Sequence, residues 1–296
     1  MNNLKLLFGC WLFAFLCFNG QIAAQQPADS TRVMVETTDG NQYVGWIVDQ
    51  NADVLVLKTD NLGEIKLPKK QIKLMRPVRT SEMVNGEYWP ENPHATRYLF
   101  GPNGYGLRKG EGYYSNTWIF FNQISYGITN NFTLGAGIIP LFFFDGAASP
   151  IWITPKVSIP IKKDMFNVGV GGLFATVLGE DVGTFGVAYG QFTIGPRDKN
   201  INFGLGYGYA GDEWASTPTI SISGTYRAGK KFAFITENYI FDTGDSNVTL
   251  LSFGGRFIGR NLAIDAALVL PTNTDGFLIA IPWLGINVPF GNTVRR

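Results

Sequence analysis

Acid–base chemistry near neutral pH falls first to histidine, whose pKa lies in that range, and this sequence has one, His94. Serines and carboxylates are present, but none forms a Ser/His pattern with it, so His94 is read as a linker residue. One histidine is too few for a His-rich metal site. Cys10 and Cys17 are the only cysteines, and both fall in the first 24 residues. Once those residues are removed, the chain has no disulfide, thiol nucleophile or thiolate metal ligand. Gly204-x-Gly206-x-Gly208 copies part of a dinucleotide loop, but its glycines recur at period two inside a strand-like run and no helix follows. These residues indicate no enzyme, no cofactor and no metal.

The remaining chemistry is electrostatic. Continuing the alternation of large and small residues puts Glu237, Arg256 and Asp265 on the same face of three successive strands, with Lys156 facing the same way. Arg256 and Asp265 flank the short turn Gly259-Arg260-Asn261 and fall almost opposite each other. Phase slips are expected at Tyr189 to Phe192 and near Thr236. An inward ion pair is open to two readings: a ring that narrows a passage or binds a solute, or a network that neutralises buried charge. Lys58, Lys66, Lys69, Lys70, Lys73, Arg76 and Arg79 cluster near the N-terminus. They suggest either a solvated face or attraction to an anionic partner. Trp118, Trp152, Trp214 and Trp283 suit interfacial girdles, and sugar stacking is the alternative for Trp214.

The elements that position these groups are all strands. The chain has 296 residues, a formal net charge of +1, 16% charged and 14% aromatic residues, and 36 glycines. Its charged fraction is well below the roughly 25% of ordinary soluble domains, and its balance offers no field for nucleic acid. Residues 1–24 read as a signal peptide. Lys5 supplies the positive region, residues 6–18 the apolar run, and Ile22-Ala23-Ala24 the cleavage site before Gln25. Leu7-Phe8-Gly9-Cys10 loosely matches a lipoprotein box, but Phe8 is large for its position and the apolar run continues past Cys10. No later apolar stretch reaches the length of about twenty residues that a spanning helix needs.

Residues 31–77 alternate short strands with Asp39-Gly40, residues 49–53 and Asp60-Asn61-Leu62-Gly63 as turns. Residues 78–93, punctuated by Asn85-Gly86, Pro90, Asn92 and Pro93, read as a linker. From residue 94 to 296, apolar alternating segments of about ten residues repeat, with turns that are alternately short and longer. Ile201-Asn202-Phe203-Gly204-Leu205-Gly206-Tyr207-Gly208 is the clearest, with bulky groups on one face and small or polar ones on the other. Counting from Tyr113 gives about eleven strands, and a further one at 95–100, returning through 101–112, makes about twelve.

The order Gly40, Gly45, Gly63-Glu64-Ile65 and Ile72 resembles Sm-like or SH3-like barrels, which implies a small bent-sheet module at 31–77. From Phe100 onward the chain resembles the sparsely characterised class of Gram-negative outer-membrane β-barrel proteins. That resemblance implies an all-β transmembrane antiparallel barrel of about twelve strands, lipid on its outer wall, and both termini in the periplasm. Known barrel enzymes use a histidine near the outer rim, which His94 does not match. Two functions follow: a passive pore for small solutes, favoured by the small inner residues, or a plugged barrel with a binding, adhesion or envelope-organising role, favoured by the inward ion pair. The first module would then meet a periplasmic envelope partner, not nucleic acid. A secreted soluble all-β protein is the reading that dispenses with the membrane.

Overall fold

A computed structural model describes residues 32–78, 82–140, 149–180, 183–242, 247–259, 262–272 and 280–292. Residues 1–31, which include the expected signal peptide, Arg79, Arg260-Asn261 and most of the longer loops near 145–150, 242–247 and 271–276 lie outside the described residues. No described helix is long and apolar enough to cross a membrane. The chain divides into two units, Met1–Arg79 and Thr80–Arg296.

The first unit is a five-stranded antiparallel sheet of β1 (Arg32–Thr37), β2 (Gln42–Gln50), β3 (Val54–Thr59), β4 (Gly63–Pro68) and β5 (Ile72–Pro77), in the order β4-β3-β2-β1-β5. Val33, Val35, Leu55, Leu57 and Leu67 form its buried core, so alternate residues of β1 and β3 supply the inner face. Its turns have local causes. Gly40 takes φ +88°, and the Asn51 side chain accepts the N–H groups of Asp53 and Val54. A 3-10 turn, Lys69–Gln71, sends β5 back beside β1.

The second unit begins with a two-residue hairpin, β6 (Met83–Val84) and β7 (Glu87–Tyr88), inside the stretch read as a linker. Thirteen further strands form one sheet. They are β8 (Glu111–Thr117), β9 (Phe121–Gly127), β10 (Phe132–Ile138), β11 (Ser149–Lys162), β12 (Phe166–Leu178), β13 (Phe185–Ile194), β14 (Lys199–Ala210), β15 (Glu213–Trp214), β16 (Thr219–Gly229), β17 (Phe232–Asp242), β18 (Asn247–Ile258), β19 (Ala263–Pro271) and β20 (Ile281–Gly291). β15 is a short addition to β14. The other twelve close into an antiparallel barrel when β20 pairs with β8, from Gly285 opposite Thr117 to Gly291 opposite Glu111. Closure leaves no open edge. Entry and exit both lie at the end that carries the short turns.

The strand count needs one correction in its makeup. Residues 95–100 are not a wall strand; they lie inside the barrel. The stretch from 111 to 127 makes two strands, β8 and β9, because the chain reverses at Trp118 and Ile119. These residues take φ 50° and 67°, a conformation usually given to glycine or asparagine. Ile119 is β-branched, left-handed and 77% exposed. Ile119→Asn is therefore expected to stabilise the barrel by about 1 kcal/mol, read as a higher urea midpoint; an unchanged or lower midpoint would show that this turn stores no strain.

The expected phase slip at Tyr189 to Phe192 does not occur. Gln191 and Thr193 are buried, Phe192 and Ile194 are exposed, and β13 keeps continuous register with β12. Near Thr236 the β17–β18 ladder is interrupted without changing register. Side chains fill the gap: Thr236 Oγ1 donates to the Ser252 carbonyl, and Asn238 Oδ1 accepts the Ser252 N–H.

Candidate functional site: a lumenal hairpin and the cavity above it

The outer wall is apolar on almost every strand. Ile124, Val157, Val170, Ile201, Phe253 and Leu284 are among its exposed large side chains. A closed strand wall with such an exterior is suited to hydrocarbon, because only helices and closed barrels satisfy their backbone there.

Around residues 94–107 the inner wall is polar for a specific reason. Residues 94–107 enter from the short-turn end and lie inside the barrel as an irregular hairpin. Arg97 bridges to Pro102, the Tyr98 N–H donates to the Gly101 carbonyl and the Asn103 N–H to the Thr96 carbonyl, at 3.0 and 3.1 Å. This segment has no neighbouring strand, so its peptide groups need partners from elsewhere. The wall side chains supply them.

Glu237 sits on β17 opposite the hairpin tip. Its carboxylate accepts the N–H groups of Leu99, Phe100 and Gly101 at 2.7, 2.9 and 2.7 Å, together with the Tyr239 hydroxyl at 2.5 Å. Lys156 on β11 serves the carbonyls: its Nζ donates to Thr96, Asn103 and Tyr105 at 3.3, 3.0 and 2.5 Å. Arg256 on β18 faces Asp265 on β19. It grips that carboxylate at 2.6 and 2.9 Å and donates to the carbonyls of His94 and Tyr98 at 2.5 and 2.7 Å. Asn287 donates to the second Asp265 oxygen at 3.0 Å. All four expected lumen charges are buried; Arg256 and Asp265 are 1% and 0% exposed. Arg256–Asp265 is the only ion pair among them, and Lys156 and Glu237 bind peptide groups.

Other wall and turn residues complete the seat. Thr193 Oγ1 accepts the Gly104 N–H and Thr133 Oγ1 the Leu107 N–H. Gln191 donates to the Asn103 carbonyl and Arg197 to that of Gly106. The Tyr98 hydroxyl reaches Asn200 on β14 at 2.6 Å, and Arg97 points to Ser115 and Asn287 on the opposite wall. Gly104 must lack a side chain, because a Cβ there would lie 2.5 Å from the Asn167 carbonyl oxygen. The hairpin therefore crosses the lumen from wall to wall.

Sequence reading missed this hairpin. Gly101-Pro102-Asn103-Gly104 and Gly106 spell turn chemistry, but the flanking apolar residues look like an ordinary strand. His94 is also corrected. It is 1% exposed within the barrel, its ring meets Tyr113 edge-on at 4.2 Å, and neither ring nitrogen has a hydrogen-bond partner among the described residues. It is not a linker residue.

Beyond the tip, toward the longer loops, lies a cavity of about 710 Å³. Arg97, Leu99, Phe100 and Gly101 of the hairpin form its floor, and Tyr189, Tyr239, Phe241, Leu250, Trp118 and Trp283 are among its walls. Trp152 and Trp283 face inward, so they are not girdle residues. Trp152 donates to Gln123 at 2.9 Å, and the Trp283 ring stands 4.8 Å from that of Trp118. Trp214 is 57% exposed on β15, against Tyr209. In the first unit Lys58, Lys66, Lys69, Lys70 and Lys73 are exposed, whereas Arg76 is buried. No cluster of metal-ligating side chains occurs among the described residues.

The fold and exterior define the class: a β-barrel of the membrane-spanning type, with a separate five-stranded sheet before it. No protein-family model matches the sequence, and no curated protein matches it. Among solved structures the chain is similar to the NanC porin at 11% identity and TM-score 0.41, covering 61% of this chain and 98% of that one. It is also similar to the CymD monoaromatic hydrocarbon channel at 9% identity and TM-score 0.37, covering 62% and 89%. A loop-deletion form of OmpT from Vibrio cholerae matches at 12% identity and TM-score 0.35, covering 88% and 96%. Similarity at this level is limited to the general barrel architecture.

Proposed function

We propose that this chain is an outer-membrane β-barrel closed at rest by its own lumenal hairpin, which receives a small solute in the cavity above that hairpin. One observation carries the reading: the buried charges Glu237 and Lys156 are spent on the peptide groups of residues 96–105. Groups engaged in this way hold a plug and do not line a free passage. The plugged alternative is thus favoured over the open pore. The cavity volume lies within the usual range for small-molecule sites.

Export through the signal peptide at 1–24 places the chain in the envelope of a Gram-negative bacterium, with both termini and the short turns periplasmic. The sheet at 31–77 is then a periplasmic module. Its strand order, with β5 returning beside β1 after a 3-10 turn, supports the Sm-like or SH3-like reading. Its exposed lysines suit an anionic envelope partner.

Single-channel recording of the full mature chain in planar bilayers tests the proposal. A silent baseline with rare brief openings is expected. Large, long-lived steps from the unaltered protein would overturn the plugged reading and restore the open pore.

A further inference from the structure

We infer that the cavity is a binding site for an amphipathic monocarboxylate, anchored by Arg97 at its floor. This inference rests on the proposed solute-receiving cavity and specifies what that cavity takes. The other lumen charges bordering the cavity are committed: Glu237 to three N–H groups and a hydroxyl, Lys156 to three carbonyls. Arg97 is different. It lines the cavity and is 8% exposed, and among the described residues it has no carboxylate partner. Its contacts are a 3.4 Å hydrogen bond to Ser115 Oγ, a 3.3 Å bond to Asn287 Oδ1, and the Tyr113 ring, 5.6 Å below its guanidinium carbon. Its Nε is buried with no hydrogen-bond partner.

A guanidinium carries five N–H donors, and a buried charge without a counter-ion is strongly disfavoured. The surroundings thus ask for an anion at this point, and a carboxylate matches the planar fork of arginine. Arg97 is the cavity-lining cation with a donor to spare, and its single fork calls for one negative charge. The rest of the space asks for an apolar body: Leu99, Phe100, Phe241, Leu250, Val269 and Trp283 border it, with Trp118 beside Trp283. A flat or medium-length apolar acid, with its carboxylate down on Arg97 and its body against the two indoles, meets both demands.

The test is equilibrium dialysis of radiolabelled 4-phenylbutyrate against the full mature chain refolded in uncharged detergent, with 4-phenylbutan-1-ol as the neutral match and empty micelles as the partition control. The unaltered barrel is expected to bind the acid saturably, at one per chain, and at least tenfold more tightly than the alcohol. In Arg97→Met that preference is expected to collapse toward unity, and in Arg97→Lys to fall part way, because a lysine keeps the charge but loses the fork. Equal binding of acid and alcohol by the unaltered barrel would overturn the inference without any variant. So would a preference that survives Arg97→Met, or no saturable binding of the acid. Failure of the plugged reading registers separately, as long-lived conductance of the unaltered chain.

Discussion

Glu237→Ala is expected to convert a quiet barrel into a conducting one. In the seated hairpin the N–H groups of Leu99, Phe100 and Gly101 all end on one carboxylate. Each N–H left without a partner in a buried site costs roughly 1–3 kcal/mol. Even at the low end, three such losses shift the balance between seated and unseated hairpin by more than about a hundredfold. Frequent, long-lived openings should appear in bilayer recordings. Glu237→Gln keeps one acceptor oxygen and should fall between alanine and the unaltered chain. A fully folded Glu237→Ala barrel as silent as its parent would show that this carboxylate does not hold the hairpin in place.

Asp265→Ala is expected to cost the most stability. It leaves the Arg256 guanidinium, 1% exposed, without its counter-ion, and breaking a buried pair from one side typically costs about 3–5 kcal/mol. The cost does not argue that the pair is a net stabiliser. It reflects a charge stranded among the carbonyls of His94 and Tyr98, which cannot neutralise it. The urea midpoint of the refolded barrel should fall accordingly, whereas Lys162→Ala, on the exposed end of β11, should change it by less than about 1 kcal/mol. An Asp265→Ala midpoint within 1 kcal/mol of the parent would mean that water reaches Arg256.

Much of the wall was legible because a strand alternates faces residue by residue. Along β14, Asn200 and Asn202 are buried and Ile201 is exposed, as a period-two reading of that segment suggests. The same period grouped Glu237, Arg256 and Asp265 into one set. Two features escaped it for definite reasons. The turn at Trp118 and Ile119 carries no glycine or asparagine, so nothing in the sequence marks a reversal between β8 and β9. The hairpin at 94–107 contains strand-like residues, yet its peptide groups are satisfied by wall side chains far away in sequence. Asn200 lies about a hundred residues from Tyr98, and local patterning holds no record of that pairing. The Arg256–Asp265 pair could be read from the strand register, but the hairpin groups that Glu237 and Lys156 bind could not be named. The tryptophans misled through their type: Trp152 and Trp283 suit a membrane interface by composition, and the alternation of β11 and β20 turns both inward.

Whether the seated hairpin closes the barrel can be decided with a reversible tether. A Cβ on Gly106 would stand 3.1 Å from the Ser158 Cβ, a few tenths of an ångström below the lower end of the range seen across disulfides. With Cys10 and Cys17 confined to the first 24 residues, a chain starting at Gln25 gives a cysteine-free background. Gly106→Cys and Ser158→Cys would be combined with Glu237→Ala, and current recorded before and after reduction. The expected result is silence while the disulfide is formed and sustained opening after dithiothreitol. Sustained current with the tether fully formed would show that the hairpin does not close the barrel, because the lumen would then conduct with its hairpin held in place.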